Sequence, residues 1–539
     1  MSFTLKKLEK GLATADRADL TSGSSESVSQ VREWIHRCQA EHTRCRGLQT
    51  PSWYPSRLLD LQAVGNEQRT IARLVLTIEQ PVNGPYNTLS HCWGPQPFLC
   101  LTKETLDQFC REVPVSRLTK TFQEAIDFSR RIGVRYLWID SLCIVQDRTN
   151  PSDWLYESQF MDQIYGNGNI NLCATASVDG SQGLYRSRDA ALIRPHVIAH
   201  MVDGFQANFD VEVEYHASVA LEVSPLHGRA WTHQERPISP RSLQFTEREL
   251  IWECREHFAS EKYPGGMPDS FHELYWYWDW SVATYLKGSA WRHPDVELGE
   301  DGINIVLERW RAIRENISEA RLTFPDDRVL AISGIAKIFE PLMDDVYAAG
   351  MWRKRLNTEL LWYVPGHRSG LSQIHREYYT PSFFWTSVSG PVRGGGGGPP
   401  SYFGDCMANI LSLDLQYLTE DHTGHIKSAV LRIEGRLHRV KIQRDSAMLL
   451  TYENDTDPKA YCYLDYTKED LPNTSEGKQH FVLLFYHDEP FGWTGLLLEL
   501  LEKSTKRHRR IGLVERLYDI EVLERQQGRA EYPWRELRF

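Results

Sequence analysis

Side chains that could act on a ligand follow an apolar run in the N-terminal half of the chain. The run from Tyr136 to Ile139 is apolar at every position, which is typical of a strand buried on both faces of a parallel sheet. It stops at Asp140, and Cys143 and Gln146 follow in a predicted loop. Because open α/β sheets bind ligands at the carboxyl ends of their strands, the sequence predicts a ligand-binding edge at Asp140.

The helix predicted next has a carboxylate on its apolar face. Ser152 or Asp153 can cap its first turn. Residues at helical spacing on that face are Trp154, Glu157, Met161 and Ile164. A carboxylate in such a position is costly to bury unless it has a partner or a function. Two interpretations of Glu157 stay open: a reacting carboxylate, or the buried partner of an arginine such as Arg130 or Arg135.

A second strand end carries polar side chains. The segment 85–95, PYNTLSHCWGP, predicts a strand that finishes in a tight turn, with Ser90 and Trp93 near its end. The neighbours His91 and Cys92 suggest thiol catalysis. Adjacent residues of a strand point to opposite faces, however, so His91 is badly placed to activate Cys92. The sequence therefore disfavours a nucleophilic cysteine here.

A dense polar and aromatic block occupies 229–245, RAWTHQERPISPRSLQF. Its candidate residues are Arg229, Trp231, Gln234, Glu235 and Arg236. The favoured interpretation is a structural clamp, in which arginine and glutamate on a loop form an ion pair. The alternative is an arginine that faces a phosphate-bearing ligand, because the planar guanidinium matches phosphate oxygens.

Three soft or borderline metal ligands share one face of a predicted N-terminal helix. Cys38, His42 and Cys45 recur at helical spacing with Trp34. Such a set could hold zinc, but no fourth ligand is evident, and small buried cysteines pack as hydrophobic residues. The sequence therefore favours a structural packing role for the three residues, with zinc binding as the alternative.

Composition bounds the class of protein. A chain of 539 residues is expected to form about two to three domains. A net charge of −11 argues against general nucleic-acid binding, and the basic run KSTKRHRR at 503–510 is predicted to be a solvated loop. No export signal, no apolar run of about 20 residues and ten scattered cysteines predict a cytoplasmic protein without a membrane span.

Pattern changes along the chain predict its organisation. Residues 1–28 read as a flexible arm and 29–82 as a helix followed by β segments, joined by a turn at Gly65–Asn66. Strands and helices alternate over 83–245, which predicts an α/β domain with a mainly parallel sheet flanked by helices. Residues 246–375 read as helical and 376–539 as β-rich. Neither a GxGxxG nor a Walker motif opens a helix, which disfavours ordinary Rossmann and P-loop chemistry.

Several blocks in one order resemble the fungal heterokaryon incompatibility (HET) domain. They are YNTLSHCWG, LTKTFQEAIDFSRRIGVRYLWIDSLCIVQD, DWLYESQFMDQIYGNGNINLCATAS and GRAWTHQERPISPRSLQF. The segments WIHRCQAEHTRC, RLTFPDDRVLAISGIA, YAAGMWRKRLNTELLWY and PSFFWTSVSGPV resemble sequences that accompany this domain. The chain departs from the family pattern at His91, where tyrosine is usual, and at Pro237, where leucine is common.

The resemblance implies a role in non-self recognition between fused fungal cells that ends in growth arrest or cell death. The HET family is in turn similar to the Toll/interleukin-1 receptor (TIR) fold, some of whose members cleave NAD. In those members the catalytic glutamate lies early in a helix, just after a Trp or Cys, and DWLYES resembles that arrangement with Glu157 in its place. Trp154 would stack on a flat ring, with Ser90, Trp93, Asp140, Cys143 and Gln146 lining the pocket.

Two mechanisms are compatible with this family. One is enzymatic attack on NAD, which would be a substrate, with no bound cofactor expected. The other is a non-enzymatic module that signals by self-association or through an incompatibility partner protein.

Overall fold

The computed structural model describes residues 3–7, 21–45, 53–64, 70–147, 149–188, 197–202, 205–213, 221, 223–267, 300–365, 380–394, 406–444, 448–452, 460–465, 479–488, 492–517 and 535–539. The chain divides into two compact units, Met1–His293 and Pro294–Phe539. The first unit therefore combines four segments of the predicted organisation, namely 1–28, 29–82, 83–245 and the beginning of 246–375.

An eight-stranded sheet lies at the centre of the first unit. The strands of this unit are β1 (Phe3–Lys7), β2 (Arg57–Val64), β3 (Thr70–Leu76), β4 (Tyr86–Ser90), β5 (Tyr136–Trp138), β6 (Asn171–Cys173), β7 (Val197–Val202), β8 (Phe205–Val213), β9 (Arg241–Phe245), β10 (Leu250–Cys254) and β11 (Phe258–Ser260). The order in the large sheet is β11-β10-β9-β6-β4-β5-β2-β3. Strands β9, β6, β4 and β5 run parallel, and antiparallel pairs flank them on both sides.

The centre of this sheet is buried on both faces. Every residue of β4, β5 and β6 is buried, as the continuous apolar run at 136–139 predicts for central parallel strands. The predicted α/β unit with a parallel sheet is confirmed for these strands, and the sheet as a whole is mixed because its edges are antiparallel.

Helices and short turns connect these strands. They are α1 (Ser25–Glu41), α2 (Lys103–Arg111), α3 (Lys120–Arg131), α4 (Asp140–Cys143), α5 (Ser152–Glu157), α6 (Met161–Asn167) and α7 (Thr232–Ile238). The helix predicted around Trp154 and Ile164 is divided by a 3-10 turn at Ser158–Phe160. Helix α3 begins after Thr119, whose hydroxyl accepts a hydrogen bond from the Phe122 amide and so caps the first turn.

Both ends of the predicted flexible arm have regular structure. Strand β1 pairs with β8, which pairs with β7 in a separate three-stranded sheet. Helix α1 begins at Ser25 because the Ser24 hydroxyl accepts a hydrogen bond from the Ser27 amide at 3.1 Å. Residues 8–20 lie outside the described part, as does the turn predicted at 65–66.

The start of the predicted helical region is β structure. Strands β10 and β11 extend the large sheet beyond β9, so the assignment of residues 250–260 to helix is wrong. Every residue of β10 is buried, so the segment lacks the alternation of polar and apolar residues that would have revealed a strand. Residues 268–299 of the predicted helical region lie outside the described residues.

The second unit joins a small helical part to a β-rich part. Its helices are α8 (Glu300–Glu319), α9 (Arg328–Met343) and α10 (Leu356–Glu359). Its strands are β12 (Tyr347–Ala348), β13 (Met351–Trp352), β14 (Trp362–Tyr363), β15 (Arg393–Gly394), β16 (Ala408–Tyr417), β17 (Ile426–Gly435), β18 (Leu437–Arg444), β19 (Met448–Tyr452), β20 (Ala460–Leu464), β21 (His480–Asp488), β22 (Gly492–Glu502), β23 (Arg507–Leu517) and β24 (Arg535–Arg538). The predicted β-rich C-terminal region is confirmed.

A nine-stranded sheet dominates this β-rich part. Its order is β16-β17-β24-β23-β20-β19-β18-β21-β22, and β22 also pairs with β23. This last pairing closes six of the strands into a ring. No helix within the described residues combines the length and the hydropathy that a bilayer span requires.

The basic run 503–510 is not a simple solvated loop. Residues 503–506 form the exposed turn between β22 and β23, but Arg510 lies in β23 and is 0% exposed. Its guanidinium donates to Asp465 at 3.0 Å and packs 3.5 Å from the centre of the Trp362 ring. Burial raises the pKa of Asp465, and the nearby guanidinium opposes that rise.

We expect Arg510→Ala to lower the free energy of unfolding by about 3–5 kcal/mol, because Asp465 would be left buried without its charge partner. Denaturant unfolding of the full chain measures this. The matched control is Arg507→Ala, an exposed arginine of the same strand, for which we expect a change of about 0.5 kcal/mol or less. Equal effects of the two substitutions would show that the buried pair does not stabilise the second unit.

Candidate functional site

Polar side chains converge at one edge of the parallel strands. Strand β4 ends at Ser90, and Asp140 begins α4 two residues after β5. Helix α7 packs on α6 and brings Glu235 to the same edge, where Ser90 donates a short hydrogen bond to Glu235 Oε2. The ligand-binding edge predicted at Asp140 therefore has a second carboxylate, supplied by the block that the sequence analysis interpreted as a clamp.

Glu235 accepts hydrogen bonds from side chains of two different elements. The Ser90 hydroxyl on β4 and the Tyr165 hydroxyl on α6 both reach its carboxyl group. Asn171 on β6 supports the arrangement, because its Nδ2 donates to Ser90 Oγ at 2.9 Å and its Oδ1 accepts from Thr88 Oγ1 at 3.1 Å. All of these residues are buried, and Glu235 itself is 7% exposed.

The environment of Glu235 tunes its proton affinity to neutral pH. Burial raises the pKa of its carboxyl to about 7, while Arg229 and the Ser90 hydroxyl act in the opposite direction. A carboxyl with a pKa near the working pH can exist as an acid or as a base. This property is typical of carboxylates that take part in proton transfer.

Asp140 forms the second half of the polar edge. Its carboxylate accepts from Trp93 Nε1 at 2.9 Å and from the Ser141 amide at 2.6 Å. His91 Nε2 lies 3.8 Å from Asp140 Oδ1 and has no hydrogen-bond partner among the described residues. Burial lowers the pKa of His91 to about 4, Asp140 opposes this and Arg229 adds to it, so the imidazole is neutral at pH 7.

Arg229 lies between these two halves. Its guanidinium donates to the backbone carbonyl of His91, and its charge acts on both the His91 imidazole and the Glu235 carboxyl. Arg229, one of the residues of the predicted clamp, therefore lies beside the strand end. Cys92 packs instead with Cys173 and Leu226, away from the aromatic rings that surround His91.

The other predicted ligand-binding residues lie around the loop after Asp140. Gln146 Nε2 donates to the Ile144 carbonyl at 3.0 Å. Cys143 is 1% exposed, and burial raises the pKa of its thiol to about 12, so it is not a thiolate at neutral pH. Trp154 packs edge to face against Trp231, with ring centres 6.4 Å apart, which links α5 to the start of α7.

Glu157 is held by an arginine that the sequence analysis did not consider. Its Oε1 lies 3.6 Å from Arg57 Nη1, and Ser56 also hydrogen-bonds to its carboxyl. The same guanidinium donates to Asp153 Oδ2 at 3.0 Å and to the Cys143 carbonyl at 2.9 Å. Burial raises the pKa of Glu157, and the charge of Arg57 opposes this rise. Among the described residues, the contacts of Glu157 are thus with β2 and with its own helix α5. The carboxylate that contacts Ser90 is Glu235.

Arg130 and Arg135, the arginines expected to pair with Glu157, have other partners. Arg130 Nε donates to the Leu61 carbonyl at 2.8 Å, and Arg135 forms two hydrogen bonds of 2.8 Å with Asp60. The expected pairing is therefore wrong, because both guanidinium groups point to β2.

The residues of the predicted clamp separate into two groups. Arg236 Nε donates to Glu253 Oε2 at 2.9 Å and Arg236 Nη1 lies 2.9 Å from His227 Nε2, so an ion-pair clamp exists with a glutamate of β10 as the partner. Gln234 is fully buried. Residues 232–238 form α7 and not the expected loop, with Pro237 inside the helix.

Sequence reasoning missed Tyr165 and Asn171. Both lay in segments that it had already assigned, the helix MDQIY and the strand NINLC. The signal was available for Asn171, because a polar side chain in a strand buried on both faces needs a hydrogen-bonding partner.

Side chains that could hold a metal lie elsewhere. Cys38, His42 and Cys45 are joined by Cys254, with ligand atoms within 4.8 Å of one another. In the second unit Asp326, Asp327 and His425 form a comparable, partly exposed group.

Comparison with known proteins identifies the region that contains the site. Residues 86–235 match the model of a family described as heterokaryon incompatibility protein (HET). No curated protein and no solved structure matches the chain at a significant level. The matched region begins with β4, which supplies Ser90, and ends at Glu235.

Glu235 should make stability depend on pH. Its pKa rises from 4.5 to about 7 on folding, so its contribution is fully present below pH 4.5 and is lost as pH rises through 7. We expect the free energy of unfolding of the natural chain, relative to Glu235→Gln, to fall by about 3 kcal/mol between pH 4 and pH 8.

Denaturant unfolding of both proteins across this range measures the difference. The comparison cancels the opposite contribution of His91 and His233, whose lowered pKa values of about 4 favour the folded state as pH rises. A difference that stays constant with pH would contradict the raised pKa of the buried Glu235 carboxyl.

Proposed function

The chain contains a heterokaryon incompatibility (HET) domain, and from this premise we propose that it acts in fungal non-self recognition and promotes cell death by cleaving NAD. The reaction is hydrolysis of the bond between nicotinamide and ribose. The observation that favours an enzymatic role is the position of Glu235, a buried carboxyl with a pKa of about 7 at the strand edge where α/β sheets bind ligands.

The chemistry asks for a carboxylate beside the ribose. When the nicotinamide–ribose bond breaks, its electron pair leaves with the nicotinamide and positive charge develops on the ribose. An ionised carboxylate stabilises that charge, as in glycoside hydrolysis. Water then adds to the ribose carbon, and its proton passes to the carboxylate acting as a base.

We assign this role to Glu235. Ser90 and Tyr165 orient its carboxyl group by hydrogen bonds. Arg229 supplies positive charge next to the edge, where the pyrophosphate of NAD would carry negative charge. Trp93, held by its hydrogen bond to Asp140, provides a partly exposed ring on which a nicotinamide or adenine base would stack.

Glu157 was the catalytic carboxylate expected from the TIR resemblance. Its contacts with Arg57 and Ser56 support a positioning role instead, in which the Arg57 guanidinium fixes α5 against the Cys143 carbonyl. Through Trp154 and Trp231 this arrangement would also support the start of α7.

The second candidate is a non-enzymatic module that signals by self-association or by binding an incompatibility partner. The burial of the polar edge favours it. Ser90 and His91 are each 2% exposed, and Glu235 is 7% exposed. A structural role, in which the buried network fixes the packing of α7 on the sheet, is sufficient to explain such an arrangement.

Nicotinamide release from NAD by the purified full chain tests the proposal. We expect turnover by the natural chain and a loss of at least about 100-fold in Glu235→Gln, because the variant keeps the shape but not the charge of the side chain. We expect Glu157→Gln to retain turnover and to lose about 1–3 kcal/mol of unfolding free energy, because Arg57 loses one of its carboxylate partners. Chromatography of the products and denaturant unfolding measure the two effects.

The matched control is Glu247→Gln, an exposed carboxylate of the same unit that is paired with Arg186. It should change neither quantity. If a folded Glu157→Gln variant loses turnover while Glu235→Gln keeps normal activity, the assignment to Glu235 is wrong and Glu157 is the reacting carboxylate. An absence of turnover in both monomeric and assembled natural protein would favour the non-enzymatic module.

A further inference from the structure

Four side chains with metal-ligand chemistry meet where α1 ends against the β10–β11 hairpin. Cys38 lies in the last turns of α1, His42 caps that helix, Cys45 follows it, and Cys254 is the last residue of β10. Their ligand atoms all lie within 4.8 Å of one another, and His42 Nδ1 is 3.3 Å from Cys254 Sγ. We propose that Cys38, His42, Cys45 and Cys254 bind a structural zinc ion.

The separations fit a site ready to close on a metal. In tetrahedral coordination with Zn–S bonds of about 2.3 Å, neighbouring sulfur atoms lie about 3.8 Å apart. The observed group therefore needs to contract by at most about 1 Å, which side-chain rotation can supply. Three sulfurs and one imidazole nitrogen form a set that selects zinc over harder cations such as magnesium or calcium.

Groups around the four ligands support the thiolate form that zinc requires. Arg241 Nε donates to Cys38 Sγ at 3.1 Å, and the backbone amide of Arg255 hydrogen-bonds to Cys45. Three thiolates and one neutral imidazole would leave a zinc site with one net negative charge, which the Arg241 guanidinium offsets. Hydrogen bonds of this kind orient metal ligands and stabilise their charge.

Burial makes the same group difficult to explain by packing alone. Cys38 and Cys45 are 0% and 1% exposed and Cys254 is 7% exposed, so three thiols share one small buried volume. Trp34, one helical turn before Cys38, stacks on Trp252, two residues before Cys254, with ring centres 6.1 Å apart, and both rings are buried.

All four positions are filled by protein ligands, so the site has no open position for a substrate. Closed sites of this type are structural. The ion would join α1 to strand β10. It would be a shared ligand centre for His42 and Cys254, which lie more than 200 positions apart along the chain.

Metal analysis of the reduced full chain, purified without added metal and without a histidine tag, tests the site. We expect about one zinc per chain, and replacement by Co²⁺ should give the visible d–d bands and the sulfur-to-cobalt charge-transfer band of a tetrahedral thiolate site. Cys254→Ser should lose the zinc and lower Tm by at least about 5 °C. The matched control is Cys110→Ser, a partly exposed cysteine of α2 that should keep both.

A measurement on the natural chain keeps the test decisive if Cys254→Ser fails to fold. Titration with a mercurial should release the zinc as Cys38, Cys45 and Cys254 react, with a fall in Tm. A folded natural chain without zinc and without the cobalt bands would overturn the proposal, as would stoichiometric zinc in a folded Cys254→Ser variant. A disulfide between Cys254 and either Cys38 or Cys45 in zinc-free native protein would also overturn the zinc site, because the cysteines would then form a redox pair.

Discussion

The hydrogen bond between Ser90 and Glu235 joins two segments that are 145 residues apart in the chain. A carboxyl group buried at the end of parallel strands has lost its hydration and needs donors from the protein. Those donors come from β4 and α6, with Asn171 of β6 behind them and the charge of Arg229 beside them. The network is complete only when β4, β6 and α7 have reached their places, so the site and the order of the central strands depend on each other.

A related constraint holds three arginines of the first unit that are largely or fully buried. Each of these guanidinium groups bonds to a carboxylate on another segment, and removal of either partner would leave an uncompensated charge in a region of low polarity. The pairs are Arg57 with Asp153, Arg188 with Glu261, and Arg236 with Glu253. Buried ion pairs add little to stability compared with apolar residues of the same size. Their effect is to disfavour alternative packings in which a charge is left alone.

Local patterns predicted much of this architecture, and long-range pairings set the limit. The apolar run at 136–139 identified β5 and the tight turn at the end of segment 85–95 identified β4, and the polar residues at the ends of these strands identified Ser90 and Asp140 as residues of the strand edge. Periodicity does not reveal which strands are neighbours, so the pairing of β2 with β5 was not predictable. That pairing places Arg57 of β2 beside Glu157, whereas the expected partners, Arg130 and Arg135, lie in α3 and in the turn that follows it.

The position of Cys254 illustrates why the fourth metal-ligand candidate escaped the sequence analysis. Strand β10 is buried at every position, so it lacks the alternation that marks a strand with one solvated face, and its cysteine was never considered with those of α1. Successive residues of a strand point to opposite faces. Glu253 therefore faces Arg236 of α7, while Cys254 faces His42 at the end of α1. Strand β10 thus contacts α7, the helix that carries Glu235, on one face and the cysteine-rich end of α1 on the other. A change in the position of β10 would therefore affect both the polar edge and the cysteine group.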